Sequence, residues 1–167
     1  MTRKIIFLSL VCLSTISYSD NTNKLIERKA DVIYDYKNKL AWQDNSDVSE
    51  NNRAYVIEEN YKKNEFLNYE GKTAINYCKD LRLNGKDDWR LPTYKELSVL
   101  IGKKGYGKDL VSNIKYTADI FWSSTISSFG DNVQMGIDTV NKATSHSLKD
   151  FKFVNIRCIR NILKGEE

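Results

Sequence analysis

Two kinds of apolar spacing alternate along this chain. In 69–83, Ala74, Tyr77, Cys78 and Leu81 recur at i, i+3, i+4 and i+7, the stripe of an amphipathic helix. Lys72, Asn76, Lys79 and Asp80 take its other side, and Asn84-Gly85 follows as a stop, because glycine can take the left-handed conformation that closes a helix. A second helix is expected from Thr93. Thr93-Tyr94-Lys95-Glu96 has the form of a capping box, Leu97, Leu100 and Ile101 supply the apolar face, and Gly102 ends it. The chain's one proline, Pro92, stands just before the cap.

On either side of these helices the pattern is strand-like. Val32, Ile33 and Tyr34 form a short β run, Lys37-Asn38 a turn, and Leu40-Ala41-Trp42 the next run. Residues 43–65 are rich in Asn, Asp and Glu and read as a long loop with a β-flavoured island at 54–57. After residue 115 the β-like runs are Phe121-Trp122, 132–138, 143–148 and 151–160. In the last, Val154, Ile156 and Cys158 are expected to face the core, with Phe151, Phe153, Asn155 and Arg157 on the other parity. Strand, helices, then strands is an α+β order.

The ends change the picture. Arg3 and Lys4, the apolar stretch 5–16 and then Ser17-Tyr18-Ser19 follow the template of a signal peptide, so 1–19 is expected to be removed. Acylation at Cys12 is disfavoured by Val11, where a small residue is wanted. The expected division is a 1–19 signal peptide, a 20–29 flexible lead-in, a 30–162 domain and a 163–167 tail. Export to the periplasm or beyond is implied. No apolar run reaches the ~18 residues of a membrane span.

A length of 167 residues suits one domain. The formal charge of +4 shrinks once Arg3 and Lys4 are removed, so nucleic acid is not an expected partner. Of three cysteines, Cys78 and Cys158 remain after processing. An even pair in an oxidising compartment is most simply one disulfide, closing about 80 residues and contributing roughly 4.5 kcal/mol. Free or catalytic thiols are the other reading. Two cysteines and the single His146 do not make a zinc shell, and neither metal nor cofactor is expected.

Candidate chemistry is sparse. Asp88-Trp89-Arg90-Leu91-Pro92 reads as a structural plug whose charges bond backbone or each other. Ser123 could be a nucleophile only with a positioned base, and His146 has no evident relation to it. The loop 102–108 is the strongest ligand candidate. Its glycines let backbone amides approach an anion, and Lys103, Lys104, Lys108 and Lys115 surround Tyr106 with positive charge. It follows a helix and lacks the spacing of a phosphate-binding P-loop.

Taken together, Leu40-Ala41-Trp42-Gln43, Cys78 with Leu81, Asp88-Trp89-Arg90-Leu91-Pro92-Thr93 with Glu96-Leu97, Trp122-Ser123-Ser124 and Arg157-Cys158-Ile159-Arg160 resemble the Lcl C-terminal domain family. That family is named for the tail of a collagen-like bacterial adhesin, and the resemblance covers roughly residues 30 to 160. It implies a C-type lectin-like α+β fold: two helices, paired terminal strands and a small antiparallel second sheet. The adhesin is associated with sulfated polysaccharide, while formylglycine-generating enzymes carry a similar RLPT-x-x-E segment. The expectation is an exported, non-enzymatic binding or adhesion module of the bacterial cell envelope. Its expected ligands are anionic polysaccharides, contacted by Lys103, Lys104, Tyr106, Lys108 and Lys115. The alternatives are an enzyme related to the formylglycine-generating group, and a structural factor that binds another envelope protein through residues 43–65.

Overall fold

The computed structural model describes residues 25–65, 68–101, 108–126, 134–138, 143–148 and 153–166. The expected signal peptide lies outside them. Four strands, β1 (Ile26–Lys29), β2 (Val32–Asp35), β3 (Leu40–Gln43) and β9 (Ile159–Asn161), form an antiparallel sheet in the order β1-β2-β3-β9. The second sheet runs β4-β8-β5-β6-β7, from β4 (Asn52–Arg53), β8 (Val154–Asn155), β5 (Ile120–Ile126), β6 (Gln134–Asp138) and β7 (Ala143–Leu148). Its pairs are antiparallel except β5 with β8. Five short α-helices are described: α1 (Asp47–Glu50), α2 (Glu58–Lys62), α3 (Ala74–Asp80), α4 (Tyr94–Leu97) and α5 (Lys108–Asn113). A 3₁₀ turn, Ser98–Ile101, continues α4.

Apart from half-buried Tyr34, the inner strands β2 and β3 are buried along their whole length, which explains why they read as continuous apolar runs. Successive side chains of a strand point to opposite sides. Val32 and Ala41 therefore join a core with Trp89, Trp122, Cys78 and Cys158. Ile33, Leu40, Trp42 and Ile159 join the other core, with Val48, Leu97, Leu110 and Phe121.

Local signals placed α4 well. The Thr93 hydroxyl accepts from the Glu96 amide at 3.2 Å, and the Glu96 carboxylate accepts from the Thr93 amide at 2.7 Å. The expected face is buried at Leu97 and Leu100. Helix α3 is shorter than its stripe suggests. It ends at Asp80 because Leu81 is extended, and Asn84 and Gly85, with φ of 51° and 69°, instead turn the Leu83–Lys86 bridge.

Four expectations are corrected. The 43–65 loop contains α1, β4 and α2, and its apolar island is not a strand, because Ala54, Tyr55 and Val56 plug the core instead of joining a ladder. Residues 26–29 of the expected lead-in form β1, held by four paired positions to β2, while 20–24 lie outside the described residues. The run 151–160 is two strands in different sheets. Between β8 and β9 the chain passes through the interior, so Ile156, Arg157 and Cys158 are all buried and the parity rule fails at Arg157. The expectation of two helices also gives way to five, since α1, α2 and α5 carry too few turns to show a periodic stripe.

Candidate functional site

Cys78 of α3 and Cys158 are joined by a disulfide with their Cα atoms 5.4 Å apart, and both are fully buried. Such a bond belongs to an oxidising compartment. Beside it, the Gln43 side chain accepts from the Cys158 amide at 3.1 Å and donates to Asn45 and the Tyr77 hydroxyl at 2.9 and 3.0 Å.

The charged residues of the motifs are consumed in internal bonds. Arg157, only 1% exposed, donates to the Gln43 carbonyl at 2.8 Å, to Asp44 Oδ1 at 3.2 Å and to the Tyr116 carbonyl, and lies over Phe121. Asp44, fully buried, also pairs with Arg28 and accepts from the amides of Lys115 and Tyr116 at 2.9 and 3.1 Å. Arg160 donates to Asp88 at 2.6 Å and to both oxygens of Glu166 at 2.9 and 3.2 Å. Arg90 grips Glu96 through two bonds of 2.9 and 2.7 Å, while its backbone bridges Ile159. Asp88 and Arg90 thus bond Arg160 and Glu96, not each other.

Both carboxylates are tuned by these contacts. Burial works against ionising Glu96, but Arg90 and the amide and hydroxyl of Thr93 overcome it and hold the carboxyl below its usual range. Glu166 is pushed from 4.5 down to about 2 by Arg160 first, then Lys86 and the Leu163 amide. A carboxylate whose folded pKa is depressed contributes stability that is complete above its unfolded pKa and is lost as pH falls through the folded one. Glu166→Gln is therefore expected to be less stable than the parent at pH 6, and the gap should close between about pH 4.5 and 2. Urea midpoints measured at pH 6, 4 and 3 check this, and a gap independent of pH would contradict it.

Trp122 donates its indole N–H to the Arg53 carbonyl at 2.8 Å, and Ser124 donates from its amide to the Pro92 carbonyl at 2.7 Å. Ser123 is fully buried, its hydroxyl accepting from the Thr125 amide at 3.2 Å. His146 falls in β7, opposite Gly136. The motif pieces are thus wired to one another through the junction of the two sheets.

Of the expected ligand residues, Lys103, Lys104 and Tyr106 lie outside the described residues. Lys108 opens α5, a helix the sequence did not announce. Lys115 is exposed just beyond it, its ammonium 4.8 Å from the Tyr116 ring centre and without a carboxylate partner among the described residues.

A second polar group lies elsewhere, and sequence reasoning missed it. The Tyr77 hydroxyl donates to Asp47 Oδ2 at 3.2 Å, Asn45 donates to the same oxygen at 3.4 Å, and the Arg53 guanidinium carbon lies 5.6 Å from the Tyr77 ring centre. Burial, foremost, pushes the Tyr77 phenol up to about 12, so it is protonated at neutral pH. These residues come from β3–α1, β4 and α3, and no spacing in the chain betrays their meeting.

The family model for the Lcl C-terminal domain matches residues 31–160, and the chain belongs to that family. No curated protein and no solved structure matches it significantly.

Proposed function

We propose, from membership of the Lcl C-terminal domain family, that the protein is an exported, non-enzymatic binding module of the cell envelope with a C-type lectin-like architecture. Its ligands are anionic polysaccharides, met by the lysines at 103, 104, 108 and 115 around Tyr106. The observation that carries this reading is where the charges are used. The motif residues Asp88, Arg90, Glu96, Arg157 and Arg160 are tied to internal partners, whereas Lys115 is exposed with no carboxylate partner among the described residues. A rigid scaffold that leaves Lys115 exposed just beyond α5 suits recognition of an extended polyanion. Pairing of β3 with β9, which brings the two ends of the domain into one sheet, supports the architecture.

An enzyme of the formylglycine-generating kind would need reachable thiols. Both sulfurs are bonded and buried, which favours the binding reading. Thiol labelling of the unreduced native protein separates the two. The lysine reading is tested on a heparin column at low and physiological salt. The variant with Lys103, Lys104, Lys108 and Lys115 all changed to Ala is expected to elute well before the parent. Retention equal to the parent's would overturn the assignment.

A further inference from the structure

The described arginines share a habit that Arg53 breaks. Arg28 and Arg157 meet Asp44, Arg90 meets Glu96, and Arg160 meets Asp88 and Glu166. Arg82 donates to the carbonyls of Lys79 and Leu81. Arg53 is half-buried against Tyr77, yet among the described residues its side chain makes no hydrogen bond and no ion pair, and its Nε is buried without a partner. The buried Nε is closed to an outside ligand, as is that of Arg157, so an arriving acceptor would meet the Arg53 guanidinium through its Nη groups, which carry no internal partner among the described residues.

The backbone of the residue is also held still. Its backbone is paired with Val154, its carbonyl accepts from Trp122, and the next carbonyl, of Ala54, accepts from the Ala74 amide at 2.9 Å. The planar fork of N–H donors, laid against the Tyr77 ring, matches the two oxygens of a carboxylate. Its surroundings narrow the ligand further. Asp47, with Asn45 and the Tyr77 hydroxyl bonded to it, lies on the same phenol and would repel a bare anion. A ligand carrying hydroxyls next to its acid group turns that repulsion into hydrogen bonds, because hydroxyls donate to a carboxylate.

We propose that Arg53, stacked on Tyr77 beside Asp47 and Asn45, binds the carboxylate of a sugar acid unit, a uronate, within a polysaccharide. The inference deepens the glycan reading by naming a sugar class, but it uses residues separate from the lysines, so the two can fail independently.

The test titrates the disulfide-bonded protein with galacturonate oligomers, with neutral galactose oligomers and with dextran sulfate, by calorimetry and by NMR of the arginine Nε–H signals. The acidic oligomer is expected to bind and to move the Arg53 Nε–H resonance, and the neutral one to do neither. Arg53→Gln should weaken binding of the acidic oligomer by about tenfold or more, with Arg53→Lys between it and the parent. Retention on dextran sulfate should be unchanged in Arg53→Gln and lost in the quadruple lysine variant. Equal binding by Arg53→Gln, equal binding of the neutral oligomer, or no binding by the parent would each overturn the uronate site. Should Arg53→Gln fail to fold, the parent's Arg53 resonance decides, since a signal unmoved by galacturonate refutes the contact.

Discussion

Replacing both cysteines, Cys78→Ala with Cys158→Ala, is expected to lower the stability of the protein by about 4–5 kcal/mol. The bond joins residues 80 apart in sequence, so cutting it frees a long loop in the unfolded chain. For a domain of this size each kcal/mol moves the melting temperature by roughly 2–4 °C, which gives a fall of about 10–20 °C. The cysteines also belong to one core with Val32, Trp89 and Trp122, so the exchange to alanine removes buried volume from that core. Because both cysteines are fully buried, dithiothreitol should leave the bond intact in the native protein and cleave it rapidly in urea. Thermal melts and thiol counts with and without urea check both statements. A melting temperature within a few degrees of the parent would show that the loop is already restrained without the bond.

Arg157→Met should cost a further large amount, about 3–5 kcal/mol. The guanidinium supplies donors to Asp44, to the Gln43 carbonyl and to the Tyr116 carbonyl at once, in a site with almost no access to water. Methionine fills the volume but leaves those acceptors unmet, and an acceptor buried alone loses its full desolvation cost. Arg28 and the amides of Lys115 and Tyr116 remain on Asp44, so the carboxylate is not wholly abandoned. Arg157→Lys should recover only part of the loss, because a point charge cannot span two carbonyls while lying flat over Phe121. Combining Arg157→Met with Asp44→Asn should cost less than the sum of the two single changes, as coupled partners do. Urea unfolding of the four proteins measures this. Strict additivity would mean that Asp44 is held by Arg28 and the backbone alone.

These effects mark where the chain could and could not be read directly. The Thr93–Glu96 cap was legible because its parties are three residues apart and bond each other whatever surrounds them. The turn between β2 and β3 was legible for the same reason, with Asn38 donating to Asp35 at 3.0 and 2.6 Å. The cysteine pairing followed from counting. Against these, α1 and α2 were hidden, since helices of four or five residues have no room for a period. The site residues divided similarly. A lysine-rich loop announces itself by composition, whereas Arg53 looks in the sequence like any surface arginine.

The sequence alone determined the α+β order, the cap of α4, the identity of the staple and the family. The order rests on the two apolar spacings, the cap on neighbours within a turn, the staple on elimination among few residues, and the family on a resemblance spread over residues 30 to 160. Only the tertiary structure decided which charges live inside. Whether Arg157 can be buried depends on Asp44, 113 positions earlier, and whether Arg53 stays unpaired depends on what α3 and α1 bring beside it. A charge's solvation is set by the three-dimensional company it keeps, and alternation along a strand holds no record of that company once the strand leaves its sheet.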